Sequence, residues 1–249
     1  MSIHLVGGGW APTHSAAVFG PFLAEATVRA TAAGRDEPRI AIIAVRAPDA
    51  PGLDDVVDDA AQHAARLAEA LGTAGVFEAK ITELALSDAA TLPAIADVDG
   101  ILVGGGLTPA YLAALTPIAG EIRRQVSAGV PYLGYSAGAM IAAERALVGG
   151  WRLGEVEVSA EGAAEGLDEL TIQPGIGLLD VTVDVHAAQW GTLSRLIAAT
   201  EAGLIDGGLA VDENTALIVG EGALRVVGAG SVWRVSQSEN GVLVSTFGA

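Results

Sequence analysis

A serine lies at the centre of the segment Gly134-Tyr135-Ser136-Ala137-Gly138-Ala139, which has the form of a G-x-S-x-G nucleophile elbow. The segment follows an apolar strand predicted over residues 131–135 and precedes a helix predicted to start near Ala137. In such a turn the two glycines let the backbone pack closely, and the helix N-terminus presents free N–H groups that stabilise developing negative charge. The spacing therefore predicts Ser136 as a nucleophile that attacks a carbonyl carbon. A tight glycine-serine turn without chemistry is the alternative.

A serine nucleophile needs a general base, and the chain offers four histidines. His186 ends an apolar strand predicted over residues 181–185, and functional groups collect at the carboxyl ends of strands in open α/β sheets. It is also the only histidine after the serine, so it is the favoured base. His14, which follows a glycine-rich loop, is the second candidate. Ordinary side-chain roles are predicted for the other two: packing in the first strand for His4, and a solvated or partly packed position in an acidic helix for His63.

An acidic residue should orient the imidazole and stabilise its charged form. Asp212 and Glu213 follow a short strand predicted over residues 209–211, and their chemistry alone does not choose between them. Asp184 lies two residues before His186, on the same face of its strand. A solvated loop charge is the alternative for each of the three, because the chain holds 30 acidic residues.

A glycine-rich loop, Gly104-Gly105-Gly106, leaves another predicted strand and could turn its N–H groups towards an anion. It has neither the G-x-G-x-x-G spacing nor a P-loop lysine, so the sequence does not support nucleotide binding. Together with the elbow, Gly105 or Gly106 would supply one oxyanion donor and the Ala137 N–H the other. A tight turn required by packing is the alternative, and the loop Gly7-Gly8-Gly9 has the same two interpretations.

The composition limits the kinds of partner and cofactor. The chain has 249 residues, of which 51% are hydrophobic and 17% charged, so it can bury a large core. Its net charge of −17 repels phosphate backbones and anionic lipid, which argues against nucleic-acid and membrane partners. The absence of cysteine excludes disulfides, zinc–thiolate sites and cysteine nucleophiles. A basic leader and a run of 18 apolar residues are also absent, which predicts a cytoplasmic protein.

Short apolar runs alternate with helix-like segments through the first part of the chain, which predicts an α/β fold with a mostly parallel sheet flanked by helices on both faces. Strands are predicted over residues 3–6, 40–45, 100–103 and 131–135, and helices over 13–33, 51–71 and 109–127. Further on, one helix (187–202) and five short strands are predicted, the strands being added to the sheet in antiparallel fashion: 181–185, 209–211, 215–219, 224–227 and 232–235. Because no linker or repeat divides the sequence, residues 1–249 are predicted to form a single domain.

The order of these motifs resembles the dipeptidase E and cyanophycinase family of serine peptidases. The resemblance is carried, from about residue 100 to 219, by the strand with its triple-glycine loop, the Gly-Tyr-Ser-Ala-Gly-Ala elbow, and the Val-Asp-Val-His and Val-Asp-Glu-Asn-Thr-Ala-Leu segments. It implies a flavodoxin-like, class I glutamine amidotransferase-like fold, and a catalytic set of Ser136, His186 and Glu213 with Asp212 in reserve. It also implies an acyl-enzyme and no need for a metal or an organic cofactor. The order serine, histidine, acid differs from that of α/β-hydrolases, in which the acid precedes the histidine.

The residues that would hold substrate depart from the cyanophycinase pattern. Leu107 and Thr108 stand where those enzymes have Asp-Gln, and Val185 stands where they have Gln before the histidine. One arginine of three, Arg195, remains in the segment after the histidine. Arg195 either pairs with a substrate carboxylate or forms a salt bridge on the helix surface. The positions retained as substrate contacts or reserve residues are Thr108, Asp184, Trp190, Arg195 and Asp212.

These features predict a serine peptidase that hydrolyses small peptides, with an aspartyl dipeptidase-like or cyanophycinase-like preference. A non-catalytic binding module that keeps the elbow as a scaffold is one alternative, and an esterase of the α/β-hydrolase type is another. The expected partner is a small peptide, and the class suggests a homodimer.

Overall fold

The computed structural model describes residues 2–45 and 60–248, which form an α/β fold around a seven-stranded sheet. The described α-helices are α1 (Pro12–Ala32), α2 (Ala60–Gly72), α3 (Thr108–Leu115), α4 (Ala119–Ser127), α5 (Ala137–Met140) and α6 (Leu193–Glu201). The described strands are β1 (Ile3–Val6), β2 (Arg39–Val45), β3 (Glu78–Leu84), β4 (Gly100–Val103), β5 (Tyr132–Tyr135), β6 (Arg145–Gly149), β7 (Arg152–Leu153), β8 (Val156–Glu157), β9 (Thr171–Pro174), β10 (Thr182–Val185), β11 (Gly207–Val211), β12 (Thr215–Val219), β13 (Arg225–Gly228), β14 (Ser231–Ser238) and β15 (Gly241–Gly248).

The central sheet is mostly parallel, as predicted. Its parallel strands follow the order β1-β5-β4-β2-β3, and β12 and β13 continue the sheet beyond β1 as antiparallel strands. The carboxyl ends of β1, β4 and β5 consequently meet at one edge of the sheet. The loops that leave these three strands are the two triple-glycine loops and the elbow, so the topology brings the three motifs together.

Helices cover both faces of this sheet, which explains the uninterrupted apolar runs of its inner strands. From Ile40 to Val45 every side chain of β2 is buried. On one face the core is formed with α1 and α2, for example by Phe22 and Leu67. On the other face it is formed with α3, α4 and α5, for example by Tyr111 and Ile122. A strand buried on both faces needs apolar residues at every position and does not alternate.

The C-terminal strands do not all extend the central sheet, which corrects the prediction. Only β12 and β13 join it among the described strands, whereas β10, β11, β14 and β15 form a second, four-stranded sheet. Helix α6 packs on this second sheet, and a Cβ at Gly208 would lie only 2.7 Å from the Leu196 side chain. The apolar pattern identifies the strands, but pairing is decided by packing between distant segments.

Several element boundaries also differ from the sequence prediction. The helix predicted over 51–71 is described from Ala60 onwards, and residues 51–59 lie outside the described part. The segment 109–127 is two helices, because a 3₁₀ turn containing Pro117 separates α3 from α4. The helix predicted over 187–202 starts only at Leu193. Strand β3 was not predicted, since it lies at the sheet edge and carries mainly polar or partly exposed residues.

Candidate active site

Ser136 lies at the carboxyl end of β5, in a sharp turn directly before α5. Its φ is 52° and its ψ is −111°, a conformation that a residue with a side chain keeps only where the surroundings hold it. A Cβ on Gly134 would lie 2.3 Å from the Gly138 carbonyl oxygen, and one on Gly138 would lie 2.4 Å from the Val103 carbonyl oxygen. Close approach of the backbone therefore requires both glycines of the elbow.

His186 follows β10 and brings its imidazole to the serine, with 2.9 Å between His186 Nε2 and Ser136 Oγ. The His186 N–H donates to the Gly7 carbonyl oxygen at 3.1 Å. Gly8 packs so closely that a Cβ there would lie 2.1 Å from His186 Cε1. The Trp190 ring stacks on the imidazole, with centroids 3.9 Å apart and an interplanar angle of 6°. The first triple-glycine loop thus makes room for the imidazole, and Trp190 fixes the plane of the ring.

Glu213 is the acidic residue that reaches this imidazole, with 2.7 Å between Glu213 Oε1 and His186 Nδ1. Its side chain is 24% exposed, whereas the His186 side chain is 9% exposed. The Glu213 N–H donates to Gln189 Oε1 at 2.9 Å, which ties the strand end to the turn after the histidine. Serine, imidazole and carboxylate therefore form one continuous line of hydrogen bonds.

Asp212 points away from the imidazole. Its Oδ1 accepts from the Ala188 N–H at 3.1 Å and from the Trp233 indole N–H at 3.0 Å, and its Oδ2 accepts from the Ser231 N–H at 2.9 Å. The structure thus gives different contacts to the two carboxylates, between which the sequence did not choose. Asp212 braces the turn after His186 against β14, and Glu213 faces the ring.

The second triple-glycine loop lies against the serine, since a Cβ on Gly105 would lie 2.7 Å from Ser136 Cβ. The Gly105 N–H is directed elsewhere, because it donates to His63 Nε2 at 3.0 Å. Gly105 therefore lacks the free N–H that the oxyanion prediction needs, which is a correction. Among the described residues no acceptor takes the N–H of Gly106 or of Ala137, so these two groups remain available for an oxyanion.

His63 is a residue of this site that sequence reasoning missed. It is 7% exposed on α2, rather than solvated, and its ring meets the edge of Trp10 with centroids 5.6 Å apart. No local motif marks it, because its partner Gly105 lies 42 residues further along the chain. His4 is buried on β1 and His14 is half-buried on α1, and in the described residues no contact joins either to the serine.

Arg195 is buried rather than exposed on its helix, with 1% of its side chain accessible. Its Nε and Nη2 donate to the two carboxylate oxygens of Asp184 at 2.8 and 2.7 Å, and its Nη1 donates to the Ala163 carbonyl oxygen. Arg195 therefore forms a salt bridge, as one of the two alternatives drawn from the sequence has it, but the pair is buried and does not lie on the helix surface. Burial alone would lower the pKa of Arg195, but the Asp184 carboxylate raises it above its ordinary value.

Replacing Arg195 by methionine is expected to lower the free energy of unfolding by about 3–5 kcal/mol, because Asp184 would keep a buried charge without its partner. The double variant Asp184→Asn, Arg195→Met should lose less than Arg195→Met alone, since it buries no charge. Arg124→Met, in the solvent-exposed pair with Glu121, should cost far less than Arg195→Met, because water screens that pair. Urea unfolding measures all three, and a double variant less stable than Arg195→Met would contradict the account.

Thr108 is fully buried, so its side chain does not line an open surface. Its hydroxyl lies 3.6 Å from the Met140 sulfur, and its N–H donates to Glu165 Oε2 at 2.9 Å. Burial raises the pKa of Glu165 to about 7, although the Thr108 N–H and the Arg195 charge act in the opposite direction. Part of the Glu165 residue is exposed to solvent. The raised pKa reflects the burial of its carboxyl group. Sequence reasoning did not single it out among the acidic residues.

Glu165→Gln is expected to stabilise the protein at pH 8 and to have little effect at pH 5. The folded-state pKa of Glu165 lies above its ordinary value, so the ionisation of Glu165 lowers stability as the pH rises from its ordinary pKa of 4.5 to about 7. The gain in unfolding free energy at pH 8 should be about 1–3 kcal/mol. Chemical unfolding at both pH values measures it, with Glu161→Gln, at an exposed position, as the control variant. An equal effect of Glu165→Gln at both pH values would contradict this assignment.

No group of three or more metal-ligating side chains lies together in residues 2–45 and 60–248. Within the same residues, every helix is too short or too polar to cross a bilayer.

Comparison with known proteins finds matches to peptidases. The family model described as peptidase family S51 matches residues 47–227. Cyanophycinases of Synechococcus elongatus and Thermosynechococcus vestitus are each 36% identical over 140 residues, which is 53% of this chain and 40% of theirs. The matched region thus spans less than half the length of these curated relatives.

Two solved structures share the fold. A peptidase from an acI-B1 actinobacterium has a TM-score of 0.65 and 20% identity, covering 100% of this chain and 94% of that one. A putative peptidase E protein from Listeria monocytogenes EGD-e has a TM-score of 0.54 and 15% identity, covering 92% of this chain and 98% of that one. At such identities the likeness concerns the arrangement of helices and strands.

Proposed function

The chain belongs to peptidase family S51, and on that premise we propose that it hydrolyses small peptides through Ser136, His186 and Glu213. One observation carries the proposal. The Ser136 hydroxyl, both imidazole nitrogens and the Glu213 carboxylate are joined at 2.9 and 2.7 Å, beside two N–H groups without an acceptor in the described chain. This arrangement supplies a nucleophile, a base, an orienting acid and an oxyanion site.

In the first half of the reaction, Ser136 Oγ attacks the substrate carbonyl carbon while His186 Nε2 takes the hydroxyl proton. Glu213 accepts from His186 Nδ1, which keeps Nε2 free to act as the base and stabilises the imidazolium that forms. The N–H groups of Gly106 and Ala137 bind the negative oxygen of the tetrahedral intermediate.

The intermediate then collapses with cleavage of the carbon–nitrogen bond. His186 returns its proton to the departing amine, which leaves an acyl group on Ser136. A water molecule gives a proton to the same imidazole and attacks this ester. The imidazolium then returns the proton to Ser136 Oγ as the bond from this oxygen to the acyl carbon breaks and the acid leaves. The chain's own residues thus carry every proton transfer of the cycle.

We further propose that the fold is of the class I glutamine amidotransferase-like type. The support is a parallel sheet in the order β1-β5-β4-β2-β3, with the nucleophile in the turn after β5 and a glycine loop after β4.

For the substrate, we propose a small peptide for which β-aspartyl–arginine is not the preferred form. Leu107 and Val185 replace polar residues of the cyanophycinase pattern, and the one remaining arginine, Arg195, is already paired with Asp184. These replacements remove groups that would bind a charged side chain. An aspartyl dipeptide without arginine has no guanidinium group for the site to bind.

The test combines a substrate panel with a chemical probe. The panel holds α- and β-linked Asp-X dipeptides, β-Asp-Arg, neutral dipeptides and a simple ester, and the probe is a fluorophosphonate located by mass spectrometry. We expect a dipeptide to be cleaved, β-Asp-Arg to be cleaved more slowly, and the label to be on Ser136. Ester cleavage without peptide cleavage would favour an esterase. An unlabelled Ser136 in folded protein would favour a binding module and overturn the proposal.

A further inference from the structure

Side chains from opposite faces of the central sheet hold the loop 104–108 at two of its backbone N–H groups. His63, on α2, accepts from Gly105 at 3.0 Å, and Glu165 accepts from Thr108 at 2.9 Å. Helix α2 belongs to the core on one face, whereas Leu167, two residues after Glu165, packs on the core of the other face. Between the two held groups lies Gly106, whose N–H has no acceptor in the described chain.

We propose that His63 and Glu165 are positioning residues of the oxyanion site, which aim the Gly106 N–H at the acyl oxygen of a substrate attacked by Ser136. They act through the loop and touch neither the substrate nor the reacting atoms. The inference rests on the proposed function, because it needs Ser136 to be the nucleophile.

The surroundings of His63 fix the position of its acceptor nitrogen. Its ring lies against Trp10 and Tyr135, at centroid distances of 5.6 and 6.2 Å. A Cβ on Gly104 would lie 2.8 Å from His63 Nε2, so the loop reaches this nitrogen only because that position is glycine. Accepting the Gly105 N–H at Nε2 requires a neutral ring that carries its proton on Nδ1. His63 is therefore placed as a fixed acceptor.

The Glu165 side of the loop is equally constrained. Glu165 has a φ of 58°, in the left-handed region, and the Ala163 carbonyl two residues earlier accepts from the buried Arg195. Thr108, which gives its N–H to Glu165, is the first residue of α3 and fully buried. The Thr108 N–H therefore lies at a buried helix start. Its acceptor Glu165 lies two residues after a carbonyl that is held by the buried Arg195.

Loss of either acceptor leaves the Gly106 N–H in the loop, but its orientation towards the substrate oxygen is no longer fixed. Removal of one oxyanion donor commonly costs about 10²–10³ in rate, and a misdirected donor should cost part of that, about 10- to 100-fold. The donor meets the oxygen chiefly when negative charge develops on it. Binding of the unreacted substrate should consequently change little.

The test compares glutamine and methionine at each position, because these side chains have nearly the same length and only glutamine ends in an oxygen acceptor. The measured quantities are the maximal rate constant and the half-saturating concentration for labelling of Ser136 by a fluorophosphonate. His63→Met and Glu165→Met should lower the rate constant about 10- to 100-fold, with the half-saturating concentration within about twofold of wild type. His63→Gln and Glu165→Gln should keep at least about a third of the wild-type rate constant.

The outcomes separate this inference from the proposed function. Equal rate constants for the Gln and Met variants, with circular dichroism and unfolding curves showing folded protein, would overturn the positioning role alone. The same holds if the Met variants change only the half-saturating concentration. An unreactive Ser136 in the wild-type protein would overturn the proposed function and this inference together.

Discussion

Replacement of Ser136 by alanine is expected to lower kcat for any peptide that the wild-type protein cleaves by about 10⁴- to 10⁶-fold. The variant keeps His186, Glu213 and the oxyanion donors but has no atom to form the acyl-enzyme, so only their residual effect on water attack remains. The measurement is product formation followed by chromatography over hours, with wild type and variant purified in parallel.

The fold should tolerate this change, because the hydroxyl's one hydrogen bond in the described chain is to His186. The free energy of unfolding of Ser136→Ala should therefore stay within about 1 kcal/mol of wild type. Ser87→Ala, at an exposed position, is the control variant and should keep full activity. Turnover in Ser136→Ala that follows the protein through every purification step would contradict the assignment of Ser136 as nucleophile.

The central part of the fold is predictable from sequence because burial on both faces leaves a strong local signal. The run Ile40 to Val45 is apolar at every position and lies between two helical layers. At the sheet edge that signal fails, since β3 needs apolar residues only where it meets the core. The pairing of β10 with β11 in a second sheet leaves no local mark, because the choice of partner depends on which faces remain uncovered.

The same distinction applies to the candidate site. The residues around Ser136 form a contiguous motif, because the geometry of a sharp strand-to-helix turn dictates small neighbours at fixed spacing. His63 and Glu165 are joined to the loop 104–108 by single hydrogen bonds from other elements, and a single long-range contact imposes no pattern on neighbouring residues. Burial of a charged residue is equally hard to predict, since the position of Arg195 on a helix does not reveal that its side chain is buried.

Several residues around the site have a strained backbone conformation. Four non-glycine residues there have a φ between 52° and 58°: Ser136, His186, Asn214 and Glu165. Such conformations cost about 1–3 kcal/mol each and persist only where surrounding contacts hold them. The His186 N–H is held by the Gly7 carbonyl, and the Asn214 N–H by the Gly8 carbonyl at 2.7 Å. The first triple-glycine loop therefore holds the backbone at His186 and at Asn214, the residue that follows Glu213.

Glu213→Gln is expected to lower kcat about 10⁴-fold, whereas Asp212→Asn should lower it less than about tenfold. Glu213 can only accept from His186 Nδ1, so it holds the tautomer that leaves Nε2 free to take the serine proton. A glutamine can offer an N–H to the same nitrogen, which would stabilise the opposite tautomer and occupy the base. The measurement is kcat for both variants on the best dipeptide of the panel.

Stability should separate the two variants in the opposite order. Asp212 accepts three hydrogen bonds in a site that is 6% exposed, and asparagine would turn one acceptor into a donor facing an N–H. Asp212→Asn should therefore lose about 1–3 kcal/mol of unfolding free energy, and Glu213→Gln, at a position nearer solvent, should lose less. A variant that loses activity but keeps stability identifies the acid that orients the imidazole. If Asp212→Asn were that variant, the base would be oriented by a different carboxylate from the one that the geometry assigns.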